Sequence, residues 1–213
     1  MTLDELRLHL APPIADAAIF DGWSDEALAM AAQQAGIDTD VAKLAFKDGA
    51  MGMIGAWIET IDVAMSAALP PEALAQMPIR ERIRSLVAFR LDAVRGQEEA
   101  LRRALAIMAM PQNVATALRT GWRSADIMWR LAGDTATDYN HYTKRAILAS
   151  LYGATLAVFV DDESEDKADT HAFLDRRIEG VMRFEKAKAK WLGRERETFS
   201  VTRFLGRLRY PAR

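Results

Sequence analysis

The sequence predicts an all-α protein, and three observations lead there. Alanine, leucine and arginine recur throughout its 213 residues. No stretch sustains the apolar–polar alternation of a half-buried strand. Apolar residues instead return at intervals of three and four, between residues that cap or break helices.

The elements follow in order. Pro12-Pro13 is expected to end a short first helix, because proline removes a backbone donor and crowds the preceding turn. In "GWSDEALAMAAQQAG", Ser24 is placed to cap a helix, acids fill its first turn, and Gly36 stops it. Asp38 caps the next piece, to Phe46. Gly49 opens a longer apolar helix that halts at Pro70-Pro71. Pro78 sits at a first helical position of "PIRERIRSLVAFRLDAV". A helix from Gln97 to Met110 follows, then one from Pro111 to Gly133. Two long helices are expected at about residues 138–159 and 164–190, with the acidic break "DDESED" between them. A separate short helix follows Gly193. Three parts result: an N-terminal unit over residues 1–48, a helical body over 49–192, and a linker with an amphipathic helix over 193–213.

Composition excludes several function classes. There is no cysteine, so no thiolate metal site or disulfide framework is possible. "MTLDELRLHL" carries acids early and lacks the basic, apolar order of a signal peptide. No stretch approaches the roughly 18 apolar residues of a membrane span. A cytoplasmic protein is expected. The charge is uneven: Lys186–Arg213 holds nine basic residues against Glu195 and Glu197, so an acidic body carries a basic tail. That pattern suits an anionic partner reached by the tail alone, nucleic acid or an anionic membrane surface.

The helix pair Ser24–Ala35 and Asp38–Phe46, joined at Gly36, looks like a helix-turn-helix. With the helices after it, the arrangement resembles the tetracycline-repressor architecture, and a ligand-responsive transcription regulator is the rival reading. Charge argues against it. Asp21, Asp25, Glu26, Asp38, Asp40 and Asp48 face only Lys43 and Lys47 in this unit, the wrong sign for phosphate contacts. Nucleic acid is therefore not an expected partner.

No catalytic constellation stands out. His9, His141 and His171 lie apart, with no Glu-x-x-His pair and no phosphate-cradling glycine loop. Asp161–Asp166 lacks the spacing and inner glycine of an EF-hand and reads as a helix-capping turn. Neither a metal nor a cofactor is expected, and no enzyme activity. The methionines near Gly52, Gly55 and Ala56 suit an adaptable apolar interior. Met53, Trp57, Leu86, Leu105, Met108, Leu148, Leu151 and Tyr152 are the expected lining of a pocket for a flexible apolar ligand. The wide apolar arcs of the last two long helices suggest a homodimer built through them. Asp138, His141, Tyr142 and Arg145 fall at i, i+3, i+4 and i+7, with Asp126 and Met128 just upstream. A helix face of that chemistry looks like a partner-binding patch.

Three stretches carry a family resemblance: "FDGWSDEAL" (Phe20–Leu28), "SADIMWRLAGDTATDYNHYTKRAIL" (Ser124–Leu148) and "DDESEDKADTHAFLDRRIEGVMRFEKAK" (Asp161–Lys188). They resemble the lipid-binding accessory proteins of ubiquinone biosynthesis, in their alphaproteobacterial form. The resemblance implies a tetracycline-repressor-like fold without DNA binding. It implies a non-enzymatic role in binding isoprenoid lipid or quinone intermediates and presenting them to the demethoxyubiquinone hydroxylase. Matched by motif, the hydroxylase-docking patch would include Asp126, Met128, Asp138, His141 and Tyr142. Eukaryotic members often carry tryptophan where this chain has His141.

In the tail, Val201, Phe204, Leu205 and Leu208 recur at i, i+3, i+4 and i+7, with Arg203, Arg207 and Arg209 on the polar side. The helical span of about 12 residues would be roughly 18 Å long, too short to cross a bilayer. Its apolar face can lie in the interface while the arginines meet anionic headgroups, each adding about 1 kcal/mol. The resemblance includes such a membrane-binding helix, which places the protein on the cytoplasmic face of the inner membrane.

Overall fold

The computed structural model describes residues 1–135 and 139–195, with side chains to Arg183 apart from Tyr139. Among these residues it is all-helical. α1 (Leu3–Asp21), α2 (Asp25–Gln34) and α3 (Thr39–Ala45) lead into α4 (Gly49–Ala68). Then come α5 (Pro71–Leu74), α6 (Ile79–Asp92), α7 (Glu98–Met108), α8 (Val114–Leu131), α9 (Tyr139–Phe159) and α10 (Ala168–Glu195). Met1–Leu174 forms one compact unit, and the described residues from Asp175 onward belong to a second.

α1 corrects the sequence expectation, for it runs unbroken through Pro12 and Pro13. Each proline in a helix interior costs about 3 kcal/mol. The opposing term is burial: Leu10, Ala11, Ile14, Ala15 and Ala18 are all fully out of water, packed in a helix that meets α2, α3, α4 and α7. Each fully buried Leu or Ile contributes about 1.5–3 kcal/mol, so the packed face holds the helix together. Its start is fixed by a capping box between Thr2 and Glu5.

The α2–α3 turn forms as its residues require. Ser24 Oγ accepts from the Ala27 amide at 3.2 Å. Gly36 adopts φ 67°, and the Ile37 amide returns to the Ala32 carbonyl at 2.8 Å, closing the helix end. Asp38 then accepts from the amides of Asp40 and Val41. Pro70-Pro71 ends α4 but also opens α5, whose Leu74 is fully buried. α8 starts at Val114 rather than at Pro111; a turn over 110–113 precedes it, tied by Asn113 Nδ2 donating to the Ile107 carbonyl at 2.8 Å.

The core of the first unit lies around α4. Trp57 meets Trp23 with ring centroids 5.3 Å apart, and the Trp23 indole donates to the Ala100 carbonyl at 2.9 Å. Beside this apolar region sits a buried polar cluster. Arg90 on α6 pairs with Asp62 on α4, donates to Ser124 on α8 at 3.1 Å, and lies 4.9 Å from the Tyr152 ring centre on α9. Four helices are thereby pinned to one charge pair.

Candidate functional site

The α8–α9 corner carries the most distinctive surface. α8 ends where the Ala132 carbonyl accepts from Arg82 Nη1 at 2.8 Å and Gly133 turns the chain at φ 86°. A Cβ on Gly133 would meet that Arg82 at 3.1 Å, so glycine suits both the turn and the close approach. The chain then returns as α9. Arg145 locks the two helices together. It donates to Asp126 at 2.5 Å, to Asp134 at 3.0 Å and to the His141 carbonyl at 3.1 Å. Lys144 pairs with Asp134 at 2.6 Å and lies over Trp129, whose indole donates to the Lys144 carbonyl at 2.9 Å. Arg130 holds the second oxygen of Asp126 at 2.9 Å.

Above this lattice lies an aromatic cluster. Tyr142 is 62% exposed and sits between two rings: Trp122 at 6.1 Å and His141 at 5.1 Å, the latter edge-on. Leu118 on α8, four residues before Trp122, is 69% exposed, and Val114 and Met110 are exposed beyond it. A tyrosine left in water beside a tryptophan and an apolar row is the composition of an interface centre rather than of an ordinary solvated face.

The expected patch is thus only partly a surface. Tyr142 is exposed, and Asp126 and His141 are half-buried. Met128 and Arg145 are corrections: Met128 is fully buried on the inner face of α8, and Arg145 is 2% exposed because both ends of its guanidinium are held by carboxylates. They support the patch from beneath. Asp138 lies outside the described residues. Sequence reasoning missed Trp122 and Leu118, although the recurrence Val114, Leu118, Trp122 at four-residue steps was there to be read.

The pocket residues are placed in the core. Met53, Trp57, Leu86, Leu148, Leu151 and Tyr152 are buried, and Leu105 and Met108 are half-buried on α7. Tyr152 faces the Arg90 charge rather than a purely apolar space. The α9 arc of Leu148, Leu151, Leu156 and Phe159 is buried within a single chain, so its width does not by itself require a second copy.

The acidic break is a cap. Asp162 accepts from the Ser164 amide and hydroxyl at 2.9 and 2.5 Å, and from the Thr170 amide and hydroxyl at 2.8 and 2.5 Å. Burial works against its charge, but these four donors prevail and hold its pKa well below the usual aspartate range. Lys167 bridges to Glu98 at 3.1 Å and to the Asp162 carbonyl at 2.7 Å, and Arg102 reaches Asp161 at 2.6 Å, tying the turn to α7. Among the described residues no group of His, Asp or Glu is arranged to hold a metal, and no helix is long and apolar enough to cross a membrane. The tail residues Val201, Arg203, Phe204, Leu205, Arg207, Leu208 and Arg209 lie outside the described residues.

The COQ9 family model matches residues 114–185, the segment that builds the α8–α9 corner and the Asp162 cap. The rat "Ubiquinone biosynthesis protein COQ9, mitochondrial" is 35% identical over 168 residues, 76% of this chain and 54% of the relative. The human protein of that name is 34% identical over the same length, and a fission-yeast one is 27% identical over 158 residues. The chain spans about half the length of the mammalian relatives it matches. Among solved structures, a TetR transcriptional regulator from Nitrosomonas europaea superposes with a TM-score of 0.65 at 21% identity, covering 82% of this chain and 96% of that one. This likeness establishes the tetracycline-repressor-like fold. Taken with the mammalian matches, residues 114–185 mark the chain as a member of the COQ9 family.

Proposed function

We propose that the protein is a non-enzymatic accessory factor of ubiquinone biosynthesis that binds isoprenoid quinone intermediates at a membrane and presents them to the demethoxyubiquinone hydroxylase. The observation that carries the reading is the exposed Tyr142, flanked by Trp122 and His141 and held on the Arg145 lattice inside the COQ9-matching segment. Exposed aromatic anchors on a rigid base are what interface hot spots are made of. In this reading Tyr142, Trp122 and Leu118 dock the hydroxylase, with Asp126, Asp138 and His141 at the rim.

The isoprenoid chain enters between α4, α6, α7 and α9, where Met53, Trp57, Leu86, Leu105, Met108, Leu148 and Leu151 supply apolar surface and Tyr152 closes the end nearest Arg90. A long polyprenyl tail strongly prefers such a site to water. The basic 198–213 segment rests on anionic headgroups at the cytoplasmic face of the inner membrane. The working unit is a homodimer.

The test is a two-armed binding experiment on the full chain. Purified protein is mixed with the organism's hydroxylase and, separately, with anionic liposomes, and its bound lipids are identified by mass spectrometry. Extraction of a polyprenyl quinone, liposome binding that salt reverses, and a hydroxylase complex lost in Tyr142→Ala are the expected results. Protein that carries no isoprenoid and forms no complex would overturn the proposal.

A further inference from the structure

A second site opens where α1, α4 and α8 meet. It is a cleft of ≈ 100 Å³ lined by Arg7, Gly55, Ile58, Glu59, Asp62, Thr120 and Arg123. Two of its charges are already matched. Glu59 takes Arg123 at 2.9 Å, and Asp62 is paired with Arg90 and accepts from the Ser124 hydroxyl at 3.3 Å. The Thr120 hydroxyl donates to the Thr116 carbonyl at 3.0 Å, which leaves its lone pairs toward other donors. Arg7 is different. It is half-buried on α1 and has no hydrogen-bond or ion-pair partner among the described residues. With Arg90 counted behind Asp62, three cations meet two acids here, and Arg7 is the one left unmatched.

Gly55 points the same way independently. It lies in the interior of α4, where glycine is a poorer helix former than alanine. Nothing in the packing asks for it: its φ is ordinary, and a Cβ built there meets no atom within 4 Å. What the missing side chain leaves is open space in the cleft.

We propose that this cleft binds a small carboxylate, with Arg7 as its charge partner. A guanidinium offers two parallel donors that match a carboxylate's two oxygens. One negative charge neutralises Arg7, whereas a phosphate, carrying about −1.5 to −2, would leave charge facing Glu59 and Asp62. An apolar cavity of about 150 Å³ holds a benzene, so this smaller cleft takes the carboxylate end while the rest of the acid lies over Ile58. The site is separate from the α8–α9 surface and does not depend on that surface's role.

Nuclear magnetic resonance titration of the full chain with acetate, benzoate and inorganic phosphate tests the proposal, following the amides of Gly55, Glu59 and Thr120. Saturable shifts with both carboxylates are expected, with phosphate weaker. Arg7→Gln should weaken binding about tenfold, the loss of one charge-assisted contact. Gly55→Leu should abolish binding without lowering the melting temperature, because the new side chain fills space that is empty. Gly55→Ala, smaller still, should weaken it while preserving the fold. The proposal fails if these amides do not shift saturably with either carboxylate. It also fails if phosphate binds more tightly, or if Arg7→Gln and Gly55→Leu titrate as the parent does.

Discussion

Arg90 on α6 and Asp62 on α4 meet inside the helical body, 1% and 4% exposed. The pair is completed by Ser124, which accepts from Arg90 and donates to Asp62, and by the Tyr152 ring against the guanidinium. Only Arg90 Nε stays without a hydrogen-bond partner among the described buried side-chain atoms. Desolvating two charges is expensive, and their attraction offsets that cost only with the added hydrogen bonds in place. The consequence is asymmetric. Asp62→Ala strands a buried cation and should destabilise by about 3–5 kcal/mol, whereas Asp62→Leu combined with Arg90→Met should cost far less. Urea unfolding of the single variant and the double variant measures this directly. Equal losses in the single and double variants would mean the pair is not the desolvated unit described here.

Arg145 and Tyr142 lie three residues apart on α9 yet should behave oppositely. Arg145 is buried between Asp126 and Asp134, so Arg145→Ala should cost about 3–5 kcal/mol of stability. Tyr142 is mostly in water, and Tyr142→Ala should change stability by no more than about 0.5 kcal/mol. If Tyr142 is a docking anchor, its loss should weaken hydroxylase capture by at least about 2 kcal/mol, roughly thirtyfold. Thermal unfolding and binding measured on the same preparations separate the two roles. A Tyr142→Ala protein that unfolds early would show that the ring is structural.

How much of this the sequence held depends on the kind of signal. Ser24, Gly36 and Asp38 act within three or four residues of themselves, through backbone hydrogen bonds that local chemistry dictates, and they were legible. Pro12-Pro13 misled because a local penalty was outweighed by burial of Leu10 and Ile14, a tertiary effect no spacing rule reports. The i, i+3, i+4, i+7 recurrence correctly gathered His141, Tyr142 and Arg145 near one another. It could not say which of them a neighbouring helix would cover, and Arg145 is the one covered. Met128 was placed on the surface because it adjoins Asp126 in sequence, but two residues along a helix is a turn of about 200°, enough to carry it into the core. The excess cation of the cleft needed three helices in place before Arg7 could be seen without a partner.

Pro12 offers a stabilising substitution. Its ring is exposed, and α1 continues past it, so the residue supplies little packing while denying the helix one hydrogen bond. Pro12→Ala should therefore raise stability, by about 1–3 kcal/mol, the higher figure being the full interior penalty. Loss of the proline also loosens the unfolded chain, which trims the gain by about 0.4–1 kcal/mol. The melting temperature of this single variant is the check. A decrease would mean that the proline shapes a bend on which the α1–α4 packing depends.

Asp162 should make the protein acid-sensitive in a defined direction. Its pKa is held low in the folded state by four donors from Ser164 and Thr170 and returns to about 3.9 when the chain unfolds. As pH falls, the unfolded state takes up the proton first. The stability contributed by the carboxylate is thus complete above the ordinary aspartate range and is lost progressively as pH drops from about 4 toward the depressed folded value. Asp162→Asn keeps the shape but cannot accept from all four donors with a full negative charge. It should cost about 2–3 kcal/mol at pH 7 and flatten the slope of stability against pH below 5. Unfolding free energies from pH 7 to pH 3, parent against variant, decide it. Parallel curves would assign the acid sensitivity to other carboxylates and reduce Asp162 to an ordinary helix cap.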